Sequence, residues 1–383
     1  MERWIAAAGL IIGLPIAGIG CSDSQAAPAP APAPAQKAEA SPRPALAPPD
    51  PNPPAGNPPA LEPSGKSVSP PSPPAPVTLV ISAVGDCTLG TDYRVVGAPG
   101  TFHREMDAVG NDYKYPFSGV LSVLAADDLT IANLETTLSS ATSRVEAPFV
   151  FAGKPEYAEI LREGSVEVVS VANNHSHDLG PRGHADTLRA LEEHGVGYFG
   201  YGHIDRRIIK GIEVVNLGYT GGRSTIRDAM ARAVRENKRP ENLVIVSFHW
   251  GIEGINQPID EQKILGKAAI DAGADLVLGH HPHVLQGIAS HKGRKIVYSL
   301  GNFVFGGHSN PADKDAMIYQ ALFTKKDGKV EPAGERIVPV RISTVTDRND
   351  YRPVLLEGAD KDRVLARVAK FTEALVPRDA PAR

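Results

Sequence analysis

Residues Val77 to Val84 read Val-Thr-Leu-Val-Ile-Ser-Ala-Val, a continuous β-branched and apolar run that stops at Gly85-Asp86. Similar runs recur at Leu129–Ala132, Val166–Ala172, Ile212–Leu217, Leu243–Phe248, Asp275–Leu278 and Lys295–Leu300. Strands that are apolar throughout, without in-out alternation, are covered on both faces. Between several of them lie stretches with helical spacing, over Pro181–His194, Ser224–Asn237 and Asp260–Ala272. Strands alternating with helices predict an α/β domain with much parallel sheet. A further helix is expected over Asp360–Leu375, after an edge strand at Arg336–Ser343.

The chain before Val77 has a different character. Ile5 to Gly20 is an apolar run of 16 residues, shorter than the roughly 20 a membrane-spanning helix needs. It has the length of the apolar core of an export signal. Gly18-Ile19-Gly20-Cys21 follows it, and small residues directly before a cysteine resemble a bacterial lipobox, although Gly18 stands where Leu is usual. Lipidation of Cys21, a cleaved soluble export signal and an uncleaved anchor are the alternatives, with lipidation the leading one. Lipid on Cys21 would leave Cys87 unpaired, because the chain has only two cysteines.

From Pro28 to Pro76 the chain holds 19 of its 34 prolines, set among Ala, Ser and Gly. Such a stretch cannot bury a core and favours extended polyproline II. At about 3.1 Å per residue, segment 22–76 reaches on the order of 170 Å, a tether between membrane and domain. The expected organisation is a signal at 1–21, a disordered linker at 22–76, a globular domain at 77–376 and a flexible tail at 377–383.

Charge and cysteine content exclude other classes. A formal net charge of −4 and a pI near 6.3 argue against a nucleic-acid partner. Two cysteines build neither a disulfide framework nor a thiolate zinc site.

In open α/β sheets, sites form beyond the carboxyl ends of strands. Here those ends carry Asp86, then Asn133-Leu134-Glu135, then Asn173-Asn174-His175-Ser176-His177-Asp178. Further on come His249-Trp250-Gly251-Ile252-Glu253, His280-His281-Pro282-His283 and Gly301-Asn302. Taken singly, Gly-Asp is a common turn and Asn-Asn a common left-handed one. Three imidazoles within four residues are poor packing material. Together the carboxylates, amides and imidazoles form a ligand set suited to Mn, Fe or Zn. Two such ions sharing a carboxylate could generate a hydroxide nucleophile near neutral pH.

The ordered set Gly-Asp, Asn-Leu-Glu, Ala-Asn-Asn-His, His-Trp-Gly-x-Glu, Gly-His-His-Pro-His and Ser-Leu-Gly-Asn-Phe resembles the CapA family of capsule and poly-γ-glutamate synthesis proteins. The domain of that family is similar to calcineurin-like metallophosphoesterases. The resemblance runs from about Val77 to Leu375 and implies a four-layer α/β/β/α sandwich. It implies one or two divalent transition-metal ions held by Asp86, Glu135, Asn174, His249, His281 and His283. His175 would be the proton donor, oriented by Asp178. Asn133, Asn173, Trp250, Glu253, His280, Gln286 and Asn302 are the candidate substrate contacts. Two departures stand out: Thr88 and Thr91 replace the Met and Arg of the family's Gly-Asp-x-Met-Leu-Gly-Arg, and Thr88 also occupies the histidine position of the superfamily's Asp-x-His.

The expectation is therefore an exported, membrane-anchored lipoprotein of the bacterial cell envelope, acting as a metal-dependent hydrolase on a phosphoester or an amide-bonded polymer. The alternative is a non-catalytic assembly subunit that binds an anionic capsule polymer. Synthase subunits are the partners that the resemblance adds.

Overall fold

The structure, a computed structural model, describes residues 77–221 and 224–376. The expected signal, Cys21, the proline-rich linker and the C-terminal tail lie outside the described residues. Among the described residues no helix is long and apolar enough to cross a membrane.

Two sheets face each other. The first is ordered Val354–Leu355, Lys329–Arg341, Asp315–Lys326, Val77–Thr88, Leu129–Leu134, Val168–Ser170 and Gly197–Phe199, with Asn302–Phe305 also pairing on Val77–Thr88. The second is ordered Ile288–His291, Arg294–Val297, Leu276–His280, Leu243–His249, Ile212–Thr220 and Asp205–Ile209. The second sheet has parallel central strands and antiparallel edges, whereas in the first the strands from Val77–Thr88 to Gly197–Phe199 are parallel and those from Asp315–Lys326 to Val354–Leu355 are antiparallel.

Burial explains the layering. Leu79 and Ile81 of the first sheet and Val214, Ile245 and Leu278 of the second share one apolar core between the sheets. Val84, Ala132 and Val169 turn the other way, against Phe102, Tyr157 and Leu191 in the helical layer over the first sheet. Val215, Val244 and Val277 pack outward against Met230, Leu265 and Ala269 of helices Ser224–Asn237 and Asp260–Ala272. The expected α/β/β/α sandwich is what these three cores describe. Each central strand is buried on both faces, which is why the runs are continuous and not alternating.

Two expectations are corrected. The strand placed at Arg336–Ser343 runs over Lys329–Arg341 and is not the edge, since the two-residue strand Val354–Leu355 pairs outside it. The 12-residue strand Asp315–Lys326 went unread; its Thr324-Lys325-Lys326 end carries no apolar signal, yet it is the inner partner of Val77–Thr88. A third difference bears on the site. The run Lys295–Leu300 does not end at Asn302. Strand Arg294–Val297 belongs to the second sheet, and the chain crosses to begin strand Asn302–Phe305 in the first.

Candidate metal centre

Strand register brings the polar ends together. Asp86 sits opposite Asn133 on one side and Asn302 on the other, so three adjacent strands present them side by side. In the facing sheet His249 is paired with His280. Close approach at Asp86 depends on its neighbour. A Cβ at Gly85 would stand 2.1 Å from the Gly301 carbonyl oxygen, and the Asp86 amide donates to that same oxygen at 3.0 Å. Gly301 itself has φ 76°, a left-handed value that favours glycine.

The loop after Leu276–His280 is held in an uncommon conformation. His281 has φ 94° and His283 φ 57°, both positive, which costs non-glycine residues on the order of 1–3 kcal/mol. The turn directs both imidazoles toward the carboxylates, and the His281 amide donates to Asp86 Oδ2 at 3.2 Å.

Donor atoms of Asp86, Glu135 and His249 lie within 4.8 Å of one another, and so do those of Glu135, His281 and His283. Glu135 belongs to both sets. It is fully buried, and neither of its carboxylate oxygens has a hydrogen-bond partner among the described residues. His249 Nε2 and His281 Nδ1 are likewise buried and unpartnered. Glu135 Oε1 lies 3.4 Å from His249 Nε2 and 3.6 Å from His283 Nε2 without hydrogen-bond geometry, and a buried carboxylate so weakly compensated is costly, whereas a cation between the two sets would satisfy it. The donors present therefore fit one or two divalent ions of the oxygen- and imidazole-preferring kind.

The electrostatics show how strongly these donors act on one another. Burial pulls the Asp86 carboxyl upward, but hydrogen bonds to His280 and His283 outweigh this and hold it well below the usual carboxylate range. Burial drives Glu135 well above that range, opposed by His283 and reinforced by Asp86. Burial also lowers His249 and His281, keeping those imidazoles neutral with lone pairs to offer. His283 is pushed up to about 10: burial opposes the charge, but Glu135 and Asp86 more than compensate.

The residues behind the donors form a connected network. Asn133 donates to Asp86 Oδ1 at 2.8 Å and approaches His249 Nδ1 at 3.3 Å. Asn173 donates to Asn133 Oδ1 at 3.1 Å and to the Leu134 carbonyl at 2.8 Å. Its own Oδ1 receives the His175 amide at 3.1 Å. Asn133 and Asn173 thus position ligands. Asn174, expected as a ligand, is exposed, and it is the adjacent Asn173 that turns inward.

His175 Nδ1 lies 2.7 Å from Asp178 Oδ2, which also receives the Phe151 amide at 2.6 Å. A carboxylate only accepts, so Asp178 fixes the proton on Nδ1 and leaves Nε2 for exchange. His175, Glu253, His283 and Asn302 line a cleft of about 640 Å³ with Phe149, Phe151 and Phe305 among its walls. Phe151 packs on His175 with ring centroids 4.4 Å apart.

Other expected contacts lie elsewhere. Trp250 is stacked on Phe248 and donates its indole N–H to the Tyr298 carbonyl at 2.9 Å, inside the outer core. Gln286 is buried and bonded to Gln262 and the Ile255 carbonyl. His280 is buried behind Asp86, its Nδ1 3.3 Å from Oδ1. Sequence reasoning missed Phe149 and Phe151. Their signal was the pair of aromatics in Pro148-Phe149-Val150-Phe151, where Phe149 is exposed and Phe151 begins a short buried strand.

All of these residues fall within 80–307, the part of the chain matched by the model of a family described as bacterial capsule synthesis protein PGA_cap. The chain belongs to the PGA_cap family. Two proteins to which it is similar are the capsule biosynthesis protein CapA of Bacillus anthracis and the PGA biosynthesis protein CapA of Bacillus subtilis. The first is 28% identical over 323 residues, 77% of this chain and 74% of its own. The second is 28% identical over 292 residues, 70% of this chain and 73% of its own. Among solved structures, the calcineurin-like phosphoesterase YfkN from Bacillus subtilis overlaps 77% of this chain and 97% of its own, at TM-score 0.41 and 12% identity. That overlap is too slight to bear on the chemistry of this PGA_cap chain.

Proposed function

We propose that this PGA_cap protein acts in the formation of an anionic capsule polymer as a metal-dependent hydrolase. The observation that carries the reading is the buried carboxylate of Glu135, shared by two donor sets and unpartnered at both oxygens. Asp86, Glu135 and His249 would hold one ion, and Glu135, His281 and His283 a second. A divalent ion there supplies Lewis acidity at a phosphoryl or carbonyl oxygen.

The chain's own residues do the rest. His175, with Nδ1 anchored on Asp178, carries a proton on Nε2 toward a leaving group in the cleft. Glu253 and Asn302 line the same cleft and contact the substrate there. Phe149, Phe151 and Phe305 exclude water and pack against its apolar parts. The names of the two Bacillus relatives support capsule polymer as the context, and the site supports bond cleavage within it, a trimming or release step.

The same reading places the domain outside the cytoplasmic membrane, held by lipid on Cys21 through the proline-rich segment. Several acyl chains on one cysteine suffice for stable anchoring. Labelling with a radioactive fatty acid should mark the wild type and not Cys21→Ala; equal labelling would refute the anchor.

The test of the activity is elemental analysis of the purified protein with turnover of bis-p-nitrophenyl phosphate and of γ-linked poly-glutamate. Transition metal and turnover on one of them are expected, with turnover lost and metal content reduced in His249→Ala and in His281→Ala. Metal without turnover on either, together with binding of the polymer, would favour the non-catalytic assembly role. Full activity in either variant would overturn the hydrolase assignment.

A further inference from the structure

Strand Phe151–Gly153 separates two cavities. Phe151 lines the metal cleft, whereas Ala152, Gly153 and Lys154 line a second cavity of about 430 Å³. Side chains alternate along a strand, so this short segment serves both. Thr91 pairs with Ala152 and also lines the second cavity.

The polar groups there lack partners. Thr91 is 2% exposed, and its Oγ1 has no hydrogen-bond partner among the described residues. His103 Nδ1 is buried and unpartnered too. Burial, and then the charge of Lys154, lowers His103 to about 4, so the imidazole is neutral at physiological pH and has one N–H to donate. Two cations complete the lining, Arg144 and Lys154. Acidic neighbours offset them little. Glu156 is exposed, and Asp107 lies 3.7 Å from Lys154 in a pair in which both side chains are more than 40% exposed.

Aromatic rings face Arg144, Lys154 and the nearby Arg94, the last also paired with Asp92. Arg144 lies over Tyr93 at 4.3 Å, Lys154 over Tyr157 at 5.6 Å and Arg94 over Phe149 at 5.6 Å. Phe149 stacks on Phe151 at 6.2 Å and lines the metal cleft itself. A hydroxyl and a neutral imidazole without partners, in a cavity that two cations also line, make a receptor for an anion with several acceptor atoms.

We infer that this second cavity is an anion subsite that holds one carboxylate of a polymer whose neighbouring segment occupies the metal cleft. The polymer's nature rests on the capsule reading above; the anion chemistry rests on Thr91, His103, Arg144 and Lys154 alone. The subsite fixes the register of a polyanionic chain, so that cleavage falls at a set distance from a bound charge.

The experiment is fluorescence anisotropy of labelled poly-γ-glutamate on the full chain, with polyphosphate and neutral dextran as competitors. Arg144→Gln combined with Lys154→Gln should weaken binding by about tenfold at low salt, with metal content as in the wild type. Thr91→Val should weaken it several-fold without lowering the melting temperature, because the hydroxyl removed has no partner to lose. Unchanged polymer affinity in both variants, or competition by dextran, would overturn the subsite. Polyphosphate binding without poly-γ-glutamate binding would overturn the carboxylate assignment. Failure of the metal reading shows separately, as a wild type free of metal.

Discussion

Glu135→Gln separates a shared-carboxylate centre from two independent sites. The substitution keeps shape and removes one charge from both donor sets. Its cost follows from the 4.8 Å limit on donor separations. At an effective dielectric of about 20, a divalent ion within that distance gains at least roughly 7 kcal/mol from the Glu135 charge. Burial raises the Glu135 carboxyl so that it tends to be neutral without the ion, and binding must then ionise it against Asp86, a repulsion of about 3.5 kcal/mol at the same limit. The difference is about 3.5 kcal/mol, a hundredfold or more in affinity. Isothermal titration with Mn and Zn, and metal content after dialysis, should show both ions weakened together. His249→Ala should weaken one and spare the other, and His281→Ala the reverse. Metal-free Glu135→Gln should melt no lower than metal-free wild type. The folded-state value of Glu135 is raised, so the wild type loses stability as pH climbs above the ordinary range, and the amide lacks that loss. Unaltered affinity for both ions in Glu135→Gln would refute the shared-ligand reasoning.

Further outcomes follow from other parts of the structure. His175→Ala should lower kcat on bis-p-nitrophenyl phosphate by about 10²–10⁴-fold while metal content stays at the wild-type level. Gly85→Ala places a Cβ 2.1 Å from the Gly301 carbonyl oxygen, so strand and turn must part; overpacking of about 1–3 kcal/mol should lower the melting temperature by several degrees and reduce metal content. Asp315 is clasped by Arg363 and Arg367, whose hydrogen bonds overcome burial and lower its carboxyl. The stability this gives is present above the unfolded value of 3.8 and fades as pH falls through the lower folded value, so Asp315→Asn should flatten the acid limb of a melting-temperature profile. Chelator treatment should lower the melting temperature, by an amount corresponding to about 2.7 kcal/mol for each site previously held at a hundred times its Kd.

Legibility in the sequence tracked burial. Strands covered on both faces announced themselves as unbroken apolar runs, and helices Ser224–Asn237 and Asp260–Ala272 have the boundaries their spacing predicts. Strand Asp315–Lys326 holds the largely apolar run Ala316–Phe323 as well, interrupted only by Gln320, so burial alone does not account for its omission. The crossing between sheets at Leu300-Gly301 left no mark either, since an apolar run looks the same whether it continues a strand or changes sheet. At the site, residue type and strand-end position sufficed to pick out Asp86, Glu135, His249, His281 and His283, which the fold gathers. Substrate contacts were less legible. Trp250 and Gln286 sit beside ligands in sequence, but strand alternation turns Trp250 into the outer core and hydrogen bonds hold Gln286 inside. Asn173 and Asn174 could not be ranked without the turn that buries one and exposes the other.

The most direct measurement is anomalous X-ray diffraction from crystals grown with manganese or zinc, recorded at the metal's absorption edge. Two peaks should flank the Glu135 carboxylate, one beside Asp86 and His249 and the other beside His281 and His283. Metal bound away from Glu135, or these side chains left without any peak at saturating metal, would contradict the centre described.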